Sequence, residues 1–174
     1  MAVTPRRLII LGGLPGTGKS SIARALAATI GAVHVRIDTI ENALRHSERP
    51  VEITDHGYVV AFAVAADNLR IGHTVIADSV NSIAVTREAW REVAQAAGVP
   101  CFEVEVVCSD VDEHRRRIET RVPDIEGHVQ PSWQQVVERE YEPWDREHLV
   151  IDTARMTIEE SVAAIRSAID DAAR

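Results

Sequence analysis

The apolar run Leu8-Ile9-Ile10-Leu11 passes straight into Gly12-Gly13-Leu14-Pro15-Gly16-Thr17-Gly18-Lys19-Ser20, and a helical pattern starts at Lys19. A short run that is apolar throughout predicts a strand covered on both faces, over residues 7–11. Ile22, Ala25, Leu26 and Ile30 share one face of a helix over residues 19–30, and Gly31 stops it. Strand, glycine loop and helix in immediate succession form a seat for anions. The glycines let backbone N–H groups turn inward, and the helix N-terminus adds partial positive charge. The spacing Gly13-x-x-x-x-Gly18-Lys19-Ser20 suits the phosphates of a nucleoside triphosphate. Lys19 is placed to reach the terminal phosphates, and the Ser20 hydroxyl offers a hard oxygen to magnesium. The predicted nucleotide-binding segment is Gly13, Leu14, Pro15, Gly16, Thr17, Gly18, Lys19 and Ser20, with Ser21 behind it.

Further strands are expected at residues 33–37, 74–77, 102–108 and 149–151. Between them lie a polar helix or loop at 39–46, a loop around Pro50, and helices at 58–70, 85–97, 112–121, 133–139 and 158–173. Strand–helix alternation of this kind means a five-stranded parallel sheet with helices on both faces, a three-layer α/β fold. No linker divides residues 1–174, so a single domain is expected. This order, with the glycine loop after the first strand, resembles the P-loop NTPase superfamily.

The formal net charge of −8, from 19 basic and 27 acidic residues, opposes loose binding to nucleic acid or to an anionic membrane. Cys101 and Cys108 lie in one predicted strand, too far apart for a disulfide, and unpaired thiols fit a reducing cytoplasm. The run after Arg6 and Arg7 is too short for a signal-peptide core, and no segment approaches membrane-spanning length. The expected protein is cytoplasmic, a monomer or homodimer.

Two more carboxylates fall where ligands gather, at the carboxyl ends of parallel strands. Asp78 ends the run Thr74-Val75-Ile76-Ala77. It either orients magnesium opposite Ser20 or caps the next helix together with Ser79 and Asn81. Asp38 ends the run Val33-His34-Val35-Arg36-Ile37. It either orients an acceptor hydroxyl beside the triphosphate or caps a helix from Thr39, with Glu41 completing a capping box. Arg115, Arg116, Arg117 and Arg121 lie on a charged helix after the fourth strand, and Arg117 and Arg121 share a face. They are either a solvated face paired with Asp112, Glu113 and Glu119, or cations closing over a phosphoryl group.

The phosphate loop, Asp38, Asp78 followed by Asn81 and Arg87, and the arginine helix occur in one order. Together they resemble the small P-loop kinase group, AAA-type and zeta-toxin-like, that includes gluconate kinase, chloramphenicol phosphotransferase, zeta toxins and the kinase domain of polynucleotide kinase. The resemblance covers nearly the whole chain. It implies transfer of a phosphoryl group from ATP with magnesium to a hydroxyl, with Asp38 as base and Lys19, Arg117 and Arg121 as catalytic cations. It implies a lid at about residues 112–135, and an adenine border at Asp152 and Thr153, which read equally well as a turn and cap. Magnesium falls to Ser20 and Asp78, and the acceptor to Asp38, Arg45, His56, Asp78 and Asn81. One position departs from the group: several relatives carry Arg three residues after the aspartate, where this chain has Glu41, with Arg36 and Arg45 nearby.

Three functions remain open on these residues. The first is a kinase for a small hydroxyl compound. The second is a kinase for a nucleic-acid 5′-hydroxyl or a nucleotide-sugar, the former disfavoured by the acidic charge. The third is a nucleotide-dependent switch, which would leave Asp38 and the lid arginines without a task. His34 is expected in a strand, His56 and His128 in polar loops, and Trp90 in the core. Trp133 and Trp144 flank the lid.

Overall fold

The computed structural model describes residues 6–48 and 54–172. Arg49, the loop expected around Pro50, and Ala173 of the closing helix lie outside the described residues. Five strands, β1 (Leu8–Gly12), β2 (Val33–Arg36), β3 (Val75–Asp78), β4 (Cys101–Val107) and β5 (Leu149–Asp152), form one sheet in the order β2-β3-β1-β4-β5. All four pairings are parallel. The helices between them are α1 (Lys19–Ile30), α2 (Ile37–Arg45), α3 (His56–Arg70), α4 (Ala84–Ala97), α5 (Val111–Thr120), α6 (Trp133–Val137) and α7 (Ile158–Asp171).

The sheet is covered on both faces, and the strands show why each must be apolar throughout. Ile9 and Leu11 of β1 point into a core with Ile22 and Leu26 of α1 and Ile165 of α7. Leu8 and Ile10 point the other way, against Ala65 and Leu69 of α3 and Trp90 of α4. Alternate residues of one strand thus feed two cores, and no position in β1 can be polar. Trp90 is fully buried and meets the Phe62 ring edge-on at 4.6 Å. Local signals set the element ends. Gly31 closes α1 in a left-handed conformation, and Ser132 with Gln135 and Thr157 with Glu160 form capping boxes before α6 and α7.

The largest departure from expectation is at the second strand. β2 ends at Arg36 and α2 begins at Ile37 with no loop between. Asp38 therefore lies inside the first helical turn, where its charge complements the helix dipole, and it is not the cap. Helix α6 stops at Val137, two residues short of the expected end. Both cysteines are free. Among the described residues no helix is long and apolar enough to cross a membrane.

Candidate functional site

Topology brings the site together before any side chain is considered. The carboxyl ends of β1, β3 and β2 are neighbours in register, with Leu11 opposite Asp78 and Asp78 opposite Arg36. The glycine loop leaves β1 there, so Lys19, Asp78 and Asp38 converge at one edge of the sheet. The loop takes the conformation its glycines permit, with φ of +141° at Gly13, +82° at Gly16 and +95° at Gly18. Pro15, Gly16, Gly18, Lys19, Ser20 and Ser21 line a cavity of roughly 1030 Å³. Gly13 and Thr17 are buried behind them as scaffold, and the Thr17 hydroxyl donates to the Leu14 carbonyl at 3.0 Å.

Lys19 is buried, and burial pushes its ammonium below the ordinary lysine value, with Asp78 and Asp38 pulling back in the other direction. Burial alone would raise the Asp78 pKa, but hydrogen bonds from His34 and Ser20 and the Lys19 charge more than offset it. Asp78 therefore stays ionised below the usual carboxylate range. Its Oδ2 lies 3.0 Å from His34 Nε2. Helix α4 starts only at Ala84, so Asp78 is not its cap. Asp78 is buried just behind the cavity wall that Ser20 lines, and an ionised carboxylate joined to a serine hydroxyl beside a phosphate loop is the hard-oxygen pair that suits magnesium. Among the described residues no cluster of three or more His, Cys, Asp or Glu could hold a metal by itself. A magnesium ion at this pair would complete its shell with phosphate and water oxygens.

Asp38 lines the same cavity, with Arg36 Nη2 at 3.7 Å. Arg121, at the end of α5, lines it from above, and its guanidinium bonds Gln130 Oε1. Burial lowers the Arg121 pKa while Asp38 and Asp124 act to raise it, which puts Arg121 within electrostatic reach of Asp38 and, across the cavity, of Lys19. Arg117 also lines the cavity but is tied back, donating to Thr153 Oγ1 at 2.8 Å, to the Thr153 carbonyl at 3.0 Å and to Glu113 at 2.8 Å. Arg115 and Arg116 pair with Glu119 and Glu113 in solvent, as a charged helix face does.

Several expected site residues are placed elsewhere. Asn81 is fully buried, donates to the Leu11 carbonyl at 3.2 Å and does not line the cavity. Its expected acceptor contact is corrected to a brace beneath the phosphate loop. His56 is exposed at the start of α3, outside the cavity wall. Asp152 accepts from Ser109 N and Oγ and from Ala154 N, which makes it a turn residue, while the cap of α7 is Thr157. Thr153 donates to the Thr17 carbonyl at 2.7 Å and braces the loop from outside the cavity wall. Arg45 lines the cavity, paired with Glu41 at 3.1 Å.

The roles of five residues escaped the sequence reading. His34 grips Asp78, and period-2 spacing from Arg36 was the available signal, since both then share a strand face. His114 is buried on α5 with Nε2 2.7 Å from the Pro15 carbonyl, its ring edge-on to Trp133. Arg24 and Asp124 meet across the cavity at 2.8 Å, from α1 and from the loop after α5. No local pattern announces that pair. Trp144 packs over Gly12, stacks on His148 and takes the Arg87 cation at 5.0 Å from its ring centroid. It is part of the scaffold beneath the loop.

Known structures share this architecture. A gluconokinase from Sinorhizobium meliloti 1021 superposes with a TM-score of 0.64 at 21% identity, covering 96% of this chain and 95% of that one. The APS kinase CysC of Mycobacterium tuberculosis, in complex with AMPPNP and APS, gives 0.65 at 18% identity over 95% and 98%. Kti12 of Chaetomium thermophilum, in complex with ADP-AlF3, gives 0.67 at 25% identity over 94% and 96%. No curated protein matches the sequence significantly. The fold is that of the P-loop kinases, and the family model for the AAA domain matches residues 8–141, through the phosphate loop, both strand-end aspartates and the arginine helix. The chain belongs to the AAA domain family.

Proposed function

We propose that this chain is an ATP-dependent phosphotransferase that moves the terminal phosphoryl group of ATP to a hydroxyl of a small molecule. The observation that carries this reading is the arrangement of Asp38 and Arg121 around Lys19 on the wall of one large cavity. A nucleotide switch would need the phosphate loop but not a second carboxylate facing an open space. The loop N–H groups and Lys19 would cradle the triphosphate. Magnesium, when bound at Ser20 and Asp78, would neutralise charge on the phosphate oxygens. Asp38 would accept a hydrogen bond from the acceptor hydroxyl and take its proton. The acceptor oxygen bonds to the terminal phosphorus as the bond to the bridging oxygen breaks, and ADP leaves. Arg121 would stabilise the charge spread over the transferred group, with Arg117 holding the loop and the end of β5 in register. Residues 112–135 would serve as the lid of a single domain, excluding water that would otherwise hydrolyse ATP.

An ATP-consumption screen over sugars, nucleosides and aminoglycosides tests the proposal, because one compound should consume ATP stoichiometrically. Asp38→Asn should abolish that transfer and leave ATP affinity nearly intact. Full transfer by Asp38→Asn would remove the base from the mechanism. Transfer to a 5′-hydroxyl oligonucleotide in preference to every small acceptor would replace the substrate class.

A further inference from the structure

On the acceptor side of the cavity, two arginines from separate elements converge on one carboxylate. Arg36 of β2 donates from Nη1 to Asp124 Oδ2 at 2.7 Å and from Nη2 to Oδ1 at 3.2 Å, a two-pronged grip. Arg24 of α1 adds a third bond to Oδ2 at 2.8 Å. Asp124 belongs to the loop that follows α5, and that loop meets α2 through Asn42, which donates to the Glu126 carbonyl at 2.9 Å, and through the His46 ring beside Gly127. The carboxylate is 38% exposed, whereas Arg36 is only 14% exposed and its buried Nε has no hydrogen-bond partner. The fixed part of the pair is thus the arginine, and the carboxylate is the part carried by a surface loop.

Arg36 also lies 3.7 Å from Asp38 and 3.9 Å from Asp78. An acceptor whose hydroxyl reaches Asp38 must lay its remaining atoms beside this guanidinium. The wall as a whole favours an anion. It carries seven arginine or lysine side chains against the three acids Asp38, Glu41 and Asp124, in a chain whose net charge is −8. Magnesium-bound triphosphate, Asp78 beside Lys19 and Arg36, and Glu113 on Arg117 together offset most of that excess, and the departure of Asp124 would leave Arg24 and Arg36 without their counter-charge. Paired guanidinium N–H groups match the oxygens of a phosphate or carboxylate group as they match those of Asp124.

We propose that the acceptor is an anionic alcohol, a hydroxyl compound bearing a phosphate or carboxylate group, and that Arg24 and Arg36 hold this group in the place Asp124 occupies here. The inference rests on the phosphotransfer reading and names its substrate class. Asp124 is then an internal stand-in that keeps the lid docked and the arginines paired until the acceptor displaces it. A loop carboxylate that competes with the ligand lowers apparent affinity by the fraction of time it holds the site. Removing it should therefore tighten anion binding, whereas removing a mere structural clasp should not.

The experiment uses the full chain saturated with a non-hydrolysable ATP analogue and magnesium, so that the phosphate loop is filled. Inorganic phosphate, glycerate and the neutral control glycerol are titrated by calorimetry. Phosphate or glycerate should bind and glycerol should not, and the better of the two anions identifies the group. Asp124→Asn should tighten the anion about tenfold by releasing the arginines. Arg36→Gln should lose it and Arg24→Gln should weaken it, with Arg36→Lys as the folded variant that keeps charge without the fork. Unchanged or weaker anion binding in Asp124→Asn, retention in Arg36→Lys, equal binding of glycerol, or no anion binding in Asp124→Asn would each overturn the proposal. The analogue is titrated separately beforehand, and its failure to bind would sink the phosphotransfer reading and this inference with it.

Discussion

Two glycines of the phosphate loop share a sequence motif but not a physical role, and alanine at each should cost different amounts. A methyl group on Gly13 would lie 2.2 Å from the Val106 carbonyl oxygen, with φ at +141°. That carbonyl belongs to β4, the direct partner of β1, so it cannot swing aside as a side chain would. A methyl on Gly18 would meet only Thr153 at 3.6 Å, an ordinary contact, at φ +95°. Backbone strain alone costs about 1–3 kcal/mol at either position. Forcing atoms into a packed region adds about 1–3 kcal/mol, and here it falls on Gly13 only. Gly13→Ala should lose about 4 kcal/mol and Gly18→Ala about 2 kcal/mol. With a urea slope of about 2 kcal/mol per molar, the two midpoints should differ by about 1 M. Urea unfolding followed by tryptophan fluorescence measures this. Equal midpoints, or a lower one for Gly18→Ala, would refute the claim that the first glycine is required by collision with β4.

Lys19→Met should leave the ligand-free protein as stable as wild type or about 1 kcal/mol more stable, while abolishing nucleotide binding, because burial opposes the ammonium charge. The sign follows from linkage: with the folded pKa below the ordinary 10.5, wild-type stability from this group rises as pH climbs toward 10.5, and that rise should vanish in Lys19→Met. Thermal melts across alkaline pH read both effects. Arg117→Ala removes the link between Glu113 and Thr153 and should cost about 1–2 kcal/mol in urea unfolding. No loss in that variant would show the link to be idle. Asp124 is held at about 2 against an ordinary 3.8 by the Arg36 hydrogen bond, so its contribution to holding the loop after α5 is complete above 3.8 and lost as pH falls toward 2. Proteolysis of residues 122–131 by an acid-active protease should accelerate in that window before global unfolding, and Asp124→Asn should be cut fast at every pH.

The parts of the site legible in sequence are those written within one segment. The glycine loop carries strand, turn and helix in contiguous residues, so spacing alone predicts its conformation. Trp90 and the two-sided apolar strands are equally local, because period and burial follow from neighbours in the chain. Asp38 was expected at the end of the second strand, with a possible capping role, and lies two residues beyond it inside α2, since nothing local shows that β2 runs into α2 without a loop. Asn81 carried a polar side chain into a segment that looks exposed. It is buried, and its amide adds a second donor to the Leu11 carbonyl beside Ser79 N, a contact visible only once β1 and β3 pair.

What escaped the sequence has a common physical cause: contacts across long separations, and charge pairing above all. Arg36 and Asp124 are 88 residues apart, and Arg24 and Asp124 are 100 apart. A charged residue in a polar loop reads as solvated because most are, and only the fold decides which loop acid meets a buried guanidinium. Seven cations on one cavity wall are unremarkable in a chain with 19 basic residues spread along it, yet they meet only three acids there. The net charge of −8 argued against an anionic polymer as partner, and that argument concerns the surface as a whole. It does not extend to a concave site, whose local sign is set by the few side chains that the strand ends, the flanking helices and the loop after α5 place on its wall. An acidic protein with a basic cavity excludes broad polyanions while admitting a small anion, which is the selectivity that a kinase for an anionic alcohol requires.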